Sequence, residues 1–312
     1  VEDWPPRLSA ADEKGWFRFQ RLYDVARSVL RTEDDVRRLV LEAAEDDVRD
    51  GGRWLEIQVD PSGYGALFGG ITAFTDLVLD CVRDASERTG LGMAVVIAAN
   101  RTRHPLDART LARLAGQYAG RGVVGFGLSN DERRGGTADF GPAFAIAERA
   151  GLLLVPHGGE LRGPDHVRLC LDHLHPGRLG HGVRSAEDPR LLEEIVARGI
   201  ALEVCPVSNV ALGVYSDLTS VPLPQLLEAG ATVALGPTTR CCSARGWRAS
   251  TPRCAPPTSS LTTSSPSWPG CRSARRGRPP TWWSGRWPTS TPGSRPNPSD
   301  VMPPGCSGDQ ER

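Results

Sequence analysis

Short apolar runs alternate with amphipathic stretches as far as residue 236. The runs at 54–59, 93–99, 123–128, 152–156, 178–180, 201–204 and 232–235 predict strands. Between them, apolar positions recur at helical spacing over roughly 33–50, 71–89, 106–119, 138–150, 163–174, 187–198 and 221–229. In the first of these helices Val36, Leu39, Val40, Ala43 and Ala44 form one stripe, with Asp, Glu and Arg opposite. Thr32 or Asp34 can cap its start.

Repeated strand–helix units of this length predict a mostly parallel sheet. A doubly wound sheet and a (β/α)8 barrel share that pattern, and periodicity alone does not separate them. The polar residues do. Asp60, Asn130, His157, His181, Ser208 and Asn209 all fall just past predicted strand ends. Chemistry gathered at the C-terminal ends of several strands marks a barrel. The expected fold is therefore α/β, a (β/α)8 TIM-type barrel that is incomplete. Seven strands are read rather than eight, and no helix follows the last. Such an arc leaves two strand edges unpaired, which predicts poor stability and aggregation.

Composition divides the chain at one point. Residues 1–236 carry 26 basic against 34 acidic side chains, a net of −8, while residues 237–312 carry 11 Arg against three acidic residues, a net of +8. The second segment holds 14 of the 26 prolines and no Ile, Phe or Tyr. It cannot bury enough apolar surface to offset its ordering entropy, so 237–312 is expected to be a disordered tail after a barrel at 1–236. No apolar run nears the ~18 residues of a membrane span. The start shows no secretory pattern, so a cytoplasmic protein is expected. Cys81, Cys170 and Cys205 sit in apolar elements and read as buried side chains; the five tail cysteines form no C-x-x-C pair.

Two histidine segments stand out. Val155-Pro156-His157-Gly158-Gly159-Glu160 follows one strand, and Arg178-Leu179-Gly180-His181-Gly182 follows the next. Each imidazole is placed to reach a shared site, and the glycines let backbone come close to it. A Glu three residues past His157 can take a proton-transfer role. A lipase-type oxyanion loop is excluded, because no G-x-S-x-G elbow occurs in the chain. His104, His166, His173 and His175 lie on helices or loops and read as surface or packing residues.

With Leu202-Glu-Val-Cys-Pro-Val-Ser-Asn209 and Gly125-Phe-Gly-Leu-Ser-Asn-Asp-Glu132, these motifs come in an order and spacing that resemble the adenosine deaminase family of the amidohydrolase superfamily. The resemblance covers residues from about 15 to 236. It implies a zinc-dependent hydrolase that converts adenosine or a related 6-aminopurine nucleoside to the inosine-type product and ammonia. On that resemblance His157 matches a zinc ligand, and Glu160 the residue that donates a proton to the purine ring nitrogen. His181 matches the histidine that orients and helps deprotonate the attacking water, which zinc brings to a pKa of ~7. Asn130 stands where adenosine deaminases have a substrate-contacting glycine. That departure keeps open an aminodeoxyfutalosine-type deaminase as the alternative. The cytidine-type deaminases carry P-C-x-x-C instead, a pattern this chain lacks.

Two further departures concern the metal. The family's first strand carries a His-x-His zinc-binding pair, and the one such pair here, His173-Leu174-His175, lies late, at the end of a helical stretch. With Val1 as first residue, this suggests a start upstream. The last strand of the family runs into two aspartates, one binding zinc and one substrate. Here Leu235-Gly236 runs into Pro237, Thr238 and Thr239. Codons can be chosen for Pro237 onward so that dropping two bases restores Asp-Asp-Pro-Leu-Leu-Phe-Gly, family-like sequence in another frame. A base lost near Gly236 is therefore expected, and it accounts for the basic, Trp-containing tail better than a nucleic-acid-binding arm does. The chain as written is expected to hold no Zn2+ and to be impaired or inactive, a catalytically dead barrel fragment with a basic tail. The expected partner is a small purine nucleoside, with neither membrane nor nucleic acid.

Overall fold

The computed structural model describes residues 15–236. The tail, with Thr238 and Thr239, lies outside the described residues. Seven strands are present within them: β1 (Trp54–Val59), β2 (Gly92–Asn100), β3 (Val123–Ser129), β4 (Leu153–Gly158), β5 (Arg178–His181), β6 (Ala201–Val204) and β7 (Val233–Leu235). They lie side by side in chain order, each parallel to the next. This order decides between the two candidate architectures. A doubly wound sheet reverses its strand order at a switch point, whereas barrel strands succeed one another without reversal.

The sheet is also curled. Arg178 at the start of β5 forms an ion pair with Glu56 on β1, and its Nε lies 3.2 Å from Glu203 Oε1 on β6. Gln58 Nε2 on β1 comes within 3.4 Å of His157 Nε2 on β4. In a flat sheet β1 and β5 would be ~19 Å apart at ~4.8 Å per strand, far beyond side-chain reach. Only an arc brings them together. The fold is a partial TIM-type barrel.

Nine helices accompany the described strands. They are α1 (Gly15–Arg27), α2 (Glu33–Arg49), α3 (Ile71–Thr89), α4 (Pro105–Gln117), α5 (Gly141–Arg149), α6 (Pro164–Leu174), α7 (Pro189–Ala197), α8 (Pro206–Ala211) and α9 (Leu223–Glu228). Thr32 rather than Asp34 caps α2, through a capping box with Asp35. Proline in the first turn opens α4, α6, α7 and α8, where its missing N–H is not needed. Among the described residues no helix is long and apolar enough to cross a membrane.

The core lies between the strands and this helical layer. β2 is buried from Met93 to Ala99, on both faces, which explains why it reads as a continuous apolar run. β1 and β7, at the two ends of the described sheet, have no residue classed as buried.

Candidate active site

Glycine shapes the strand ends that carry the chemistry. A Cβ at Gly180 would run into the His157 ring, so this residue type on β5 clears room for the imidazole on β4. Gly159 has φ +74°, and a Cβ there would stand 2.6 Å from Val167 Cγ2. His181 itself takes a left-handed backbone conformation, φ 67°, followed by Gly182 at φ 63°. That conformation costs a non-glycine residue about 1–2 kcal/mol, and it turns the chain sharply at the end of β5.

The structure brings His157, Glu160 and His181 together. The two imidazoles meet edge to face, with centroids 5.0 Å apart and planes at 89°. His181 Nε2 lies 3.4 Å from Glu160 Oε1. Glu160 and His181 are each only 2 % exposed, while His157 is half-buried. Burial, with the neighbouring Glu132 next in effect and Arg101 opposing, pushes the Glu160 carboxyl up to about 8. Burial and the positive charge of Arg101 bring His157 down to about 4. Burial and the neighbouring His157 bring His181 down to about 3. At neutral pH the group is therefore a protonated carboxyl beside neutral imidazoles, a proton donor next to a proton acceptor.

Asn130 follows β3 and is half-buried, with φ 80°. Its Oδ1 accepts from the Asp131 N–H at 2.7 Å. The left-handed region favours glycine and tolerates Asn best among the other types, so the substitution keeps the backbone a glycine would adopt. Asp60 is committed elsewhere, its Oδ1 accepting from Ser62 N at 3.0 Å in the turn after β1. Ser208 and Asn209 are buried in α8.

Three residues essential to the local arrangement were not singled out from sequence. Arg101, just past β2, is 1 % exposed and donates from Nη2 to the His157 carbonyl at 2.6 Å. Glu132 is fully buried, and its Oε2 accepts from the N–H groups of Glu160, Leu161 and Arg162. His166 on α6 stands between them, with Nδ1 3.6 Å from Glu132 Oε1 and Nε2 2.9 Å from Thr137 Oγ1. It belongs to the buried interior, while His104, His173 and His175 are exposed. The strand-end rule that picked out Asp60 would also have picked Arg101. Cys81, Cys170 and Cys205 are buried.

The donors present decide whether the described residues can hold the metal the family implies. Among the described residues no three His, Cys, Asp or Glu side chains converge as a metal site requires. His157 offers one neutral imidazole, and a catalytic zinc takes three protein ligands. The described residues alone do not fit the ion, and no step is derived through it.

A partial parallel barrel with a buried carboxyl and imidazoles at the C-terminal ends of adjacent strands is an arrangement compatible with a hydrolase of the amidohydrolase fold. The family model described as Adenosine deaminase matches residues 1–244, and the chain belongs to that family of hydrolases. A Streptomyces virginiae protein named "Putative adenosine/adenine deaminase" is 66% identical over 232 residues, covering 74% of this chain and 68% of that protein. The adenine deaminase of Chelativorans sp. is 36% identical over 217 residues, 70% of this chain and 67% of the relative. A solved adenine deaminase from Arthrobacter aurescens superposes with a TM-score of 0.66 at 28% identity, covering 71% of this chain and 67% of that one.

Proposed function

We propose that the site is built for hydrolytic deamination of a 6-aminopurine. Water oxygen bonds to C6, the C6–N bond breaks, and the amino group leaves as ammonia. The observation that carries this reading is the pairing of Glu160 with His181, a buried acid 3.4 Å from a neutral imidazole. Glu160 donates its proton to a ring nitrogen beside C6, which makes that carbon electrophilic. His181 orients the water, accepts its proton and passes it to the departing amino group, which leaves as ammonia, and the remaining C6 hydroxyl proton restores Glu160. Buried surroundings hold both groups in the required protonation state without solvent competing for them.

The substrate is adenine or its nucleoside. Sequence motifs favour the nucleoside, and the name of the Chelativorans relative, "Adenine deaminase", supports the free base as well. Those names lend nothing to the aminodeoxyfutalosine alternative. Asn130, on the turn after β3, is the residue proposed to face the purine. Zinc supplies the activated water when it is bound in this family. With His157 the one ligand among the described residues, and threonines at 238 and 239, the chain as written is proposed to take up no zinc and to release no ammonia.

The test has two arms. The chain as written is incubated with adenine or adenosine, with and without Zn2+, and ammonia is measured. Residues 15–236 are also joined to the segments that flank the matching region in the Streptomyces virginiae relative. The joined protein is expected to release ammonia, and Glu160→Gln to abolish it. A folded, zinc-loaded joined protein silent towards both substrates overturns the deaminase reading. Ammonia release by the chain as written overturns its inactivity.

A further inference from the structure

Segment 157–162 carries the site, and α6 begins only at Pro164. On one side its carbonyls accept from the turn after β5: Gly158 from Gly182 N–H at 2.8 Å, Gly159 from Arg184 N–H at 3.0 Å and Leu161 from Arg184 Nη1 at 3.1 Å. On the other side it is gripped by a pair of opposite charges from the ends of the two strands before β4. Arg101 grips the segment at the His157 carbonyl. Glu132 grips it at three consecutive amides, at 3.1 Å, 2.7 Å and 2.9 Å from Glu160, Leu161 and Arg162.

We propose that Glu132 is a positioning residue for Glu160: it fixes the backbone from which the Glu160 carboxyl projects and sets a second buried carboxyl in its neighbourhood. This rests on the reading of Glu160 as the group that exchanges a proton with the purine ring.

The choice of a charged residue argues for more than loop anchoring. Three N–H groups can be satisfied by carbonyl oxygens of a turn, with no charge buried. Placing a fully buried carboxyl beside another buried one is the costlier solution. What the charge adds is a bias on the proton of Glu160. Glu132 and Asp131 both favour the protonated form of Glu160, and Arg101 opposes it. His166 completes the arrangement by standing between the two grips, 3.4 Å from Arg101 Nη1.

The experiment uses the full chain with 13C-labelled glutamate carboxyls, as wild type, Glu132→Gln and Glu132→Ala. Glu160 is assigned from a Glu160→Gln sample, and its titration is followed by NMR. Exchange of the amides at 160–162 is followed in parallel. Glu132→Gln keeps an acceptor oxygen and removes the charge. It is expected to leave amide exchange within a few-fold of wild type while moving the Glu160 titration down by about one pH unit. Glu132→Ala removes both and is expected to speed exchange at 160–162 by tenfold or more, since all three charge-assisted hydrogen bonds are lost.

An unmoved Glu160 titration in Glu132→Gln overturns the proposal, because a merely structural grip predicts no shift. Unchanged exchange in Glu132→Ala overturns it equally. If the alanine variant does not fold, Glu132→Gln alone decides. Ammonia release is not a readout here, so a failed deaminase assay removes the role of Glu160 without touching this result.

Discussion

The middle of the sheet and its two ends are built differently. β2, β3 and β4 are flanked on both sides and largely buried, and the ends of β3, β4 and β5 carry Glu132, Glu160 and His181. β1 and β7 are half-exposed, with Trp54 at 38 % and no site residue assembled on them beyond the approach of Gln58 to His157. Proton transfer needs desolvated groups, and the middle strands supply that environment by packing alone. Zinc needs several donors converging from distant strands, and the described residues bring only one. Among the described residues the proposed proton-handling groups, Glu160 and His181, meet, while no set of ion-holding donors does.

The largest effect that tests this contrast is chemical. In the joined protein, Glu160→Gln is expected to lower ammonia release by about 10²–10⁴-fold, the usual weight of a general acid. An ammonia assay on equally folded samples checks it.

Stability should follow the same division. Leu128→Ala, in the fully buried middle of β3, is expected to cost about 2–5 kcal/mol, and Leu235→Ala on half-buried β7 about 1 kcal/mol or less. Urea unfolding of both variants measures the difference, and equal losses would erase the distinction between middle and end. Gly180→Ala falls between, at about 1–3 kcal/mol, because the new methyl meets the His157 ring. It should also disturb the His157 imidazole resonances, which Leu235→Ala should not.

The gentlest effect is on pH dependence. Glu160 titrates near 4.5 when unfolded and about 8 when folded, so its contribution to stability falls as pH rises through that interval. His157, His166 and His181 go from 6.5 unfolded to about 4, 3 and 3, so theirs rises with pH up to about 6.5. Between 4.5 and 6.5 three imidazoles outweigh one carboxyl. Melting temperature should therefore peak near pH 6.5, and Glu160→Gln should flatten the alkaline side and steepen the rise between 4.5 and 6.5.

Much of this was legible in the sequence, for identifiable reasons. β1 and β6 have the boundaries their apolar runs indicate, and His157, Glu160 and His181 meet because each closes or follows a strand. α8 shows no period in the sequence because its six residues, Pro206–Ala211, are too few. α1 was not read, its Gly15–Arg27 segment preceding the first strand–helix unit. Barrel and doubly wound sheet gave the same alternation, and strand order in space was needed to part them. Glu132 lay within a quoted motif, but its role depends on three amides 28 to 30 residues away, a relation no local pattern displays.

Strand order has a consequence for synthesis. Each strand pairs with the one made just before it, so no pairing waits for a distant part of the chain. Parallel pairing across a crossover helix is slow to form, but because only successive strands pair here, each ladder can form on a ribosome once its second strand has emerged. By the time Gly236 is translated, six strand–strand ladders already have both partners. An error of translation or coding beyond that residue arrives too late to redirect them.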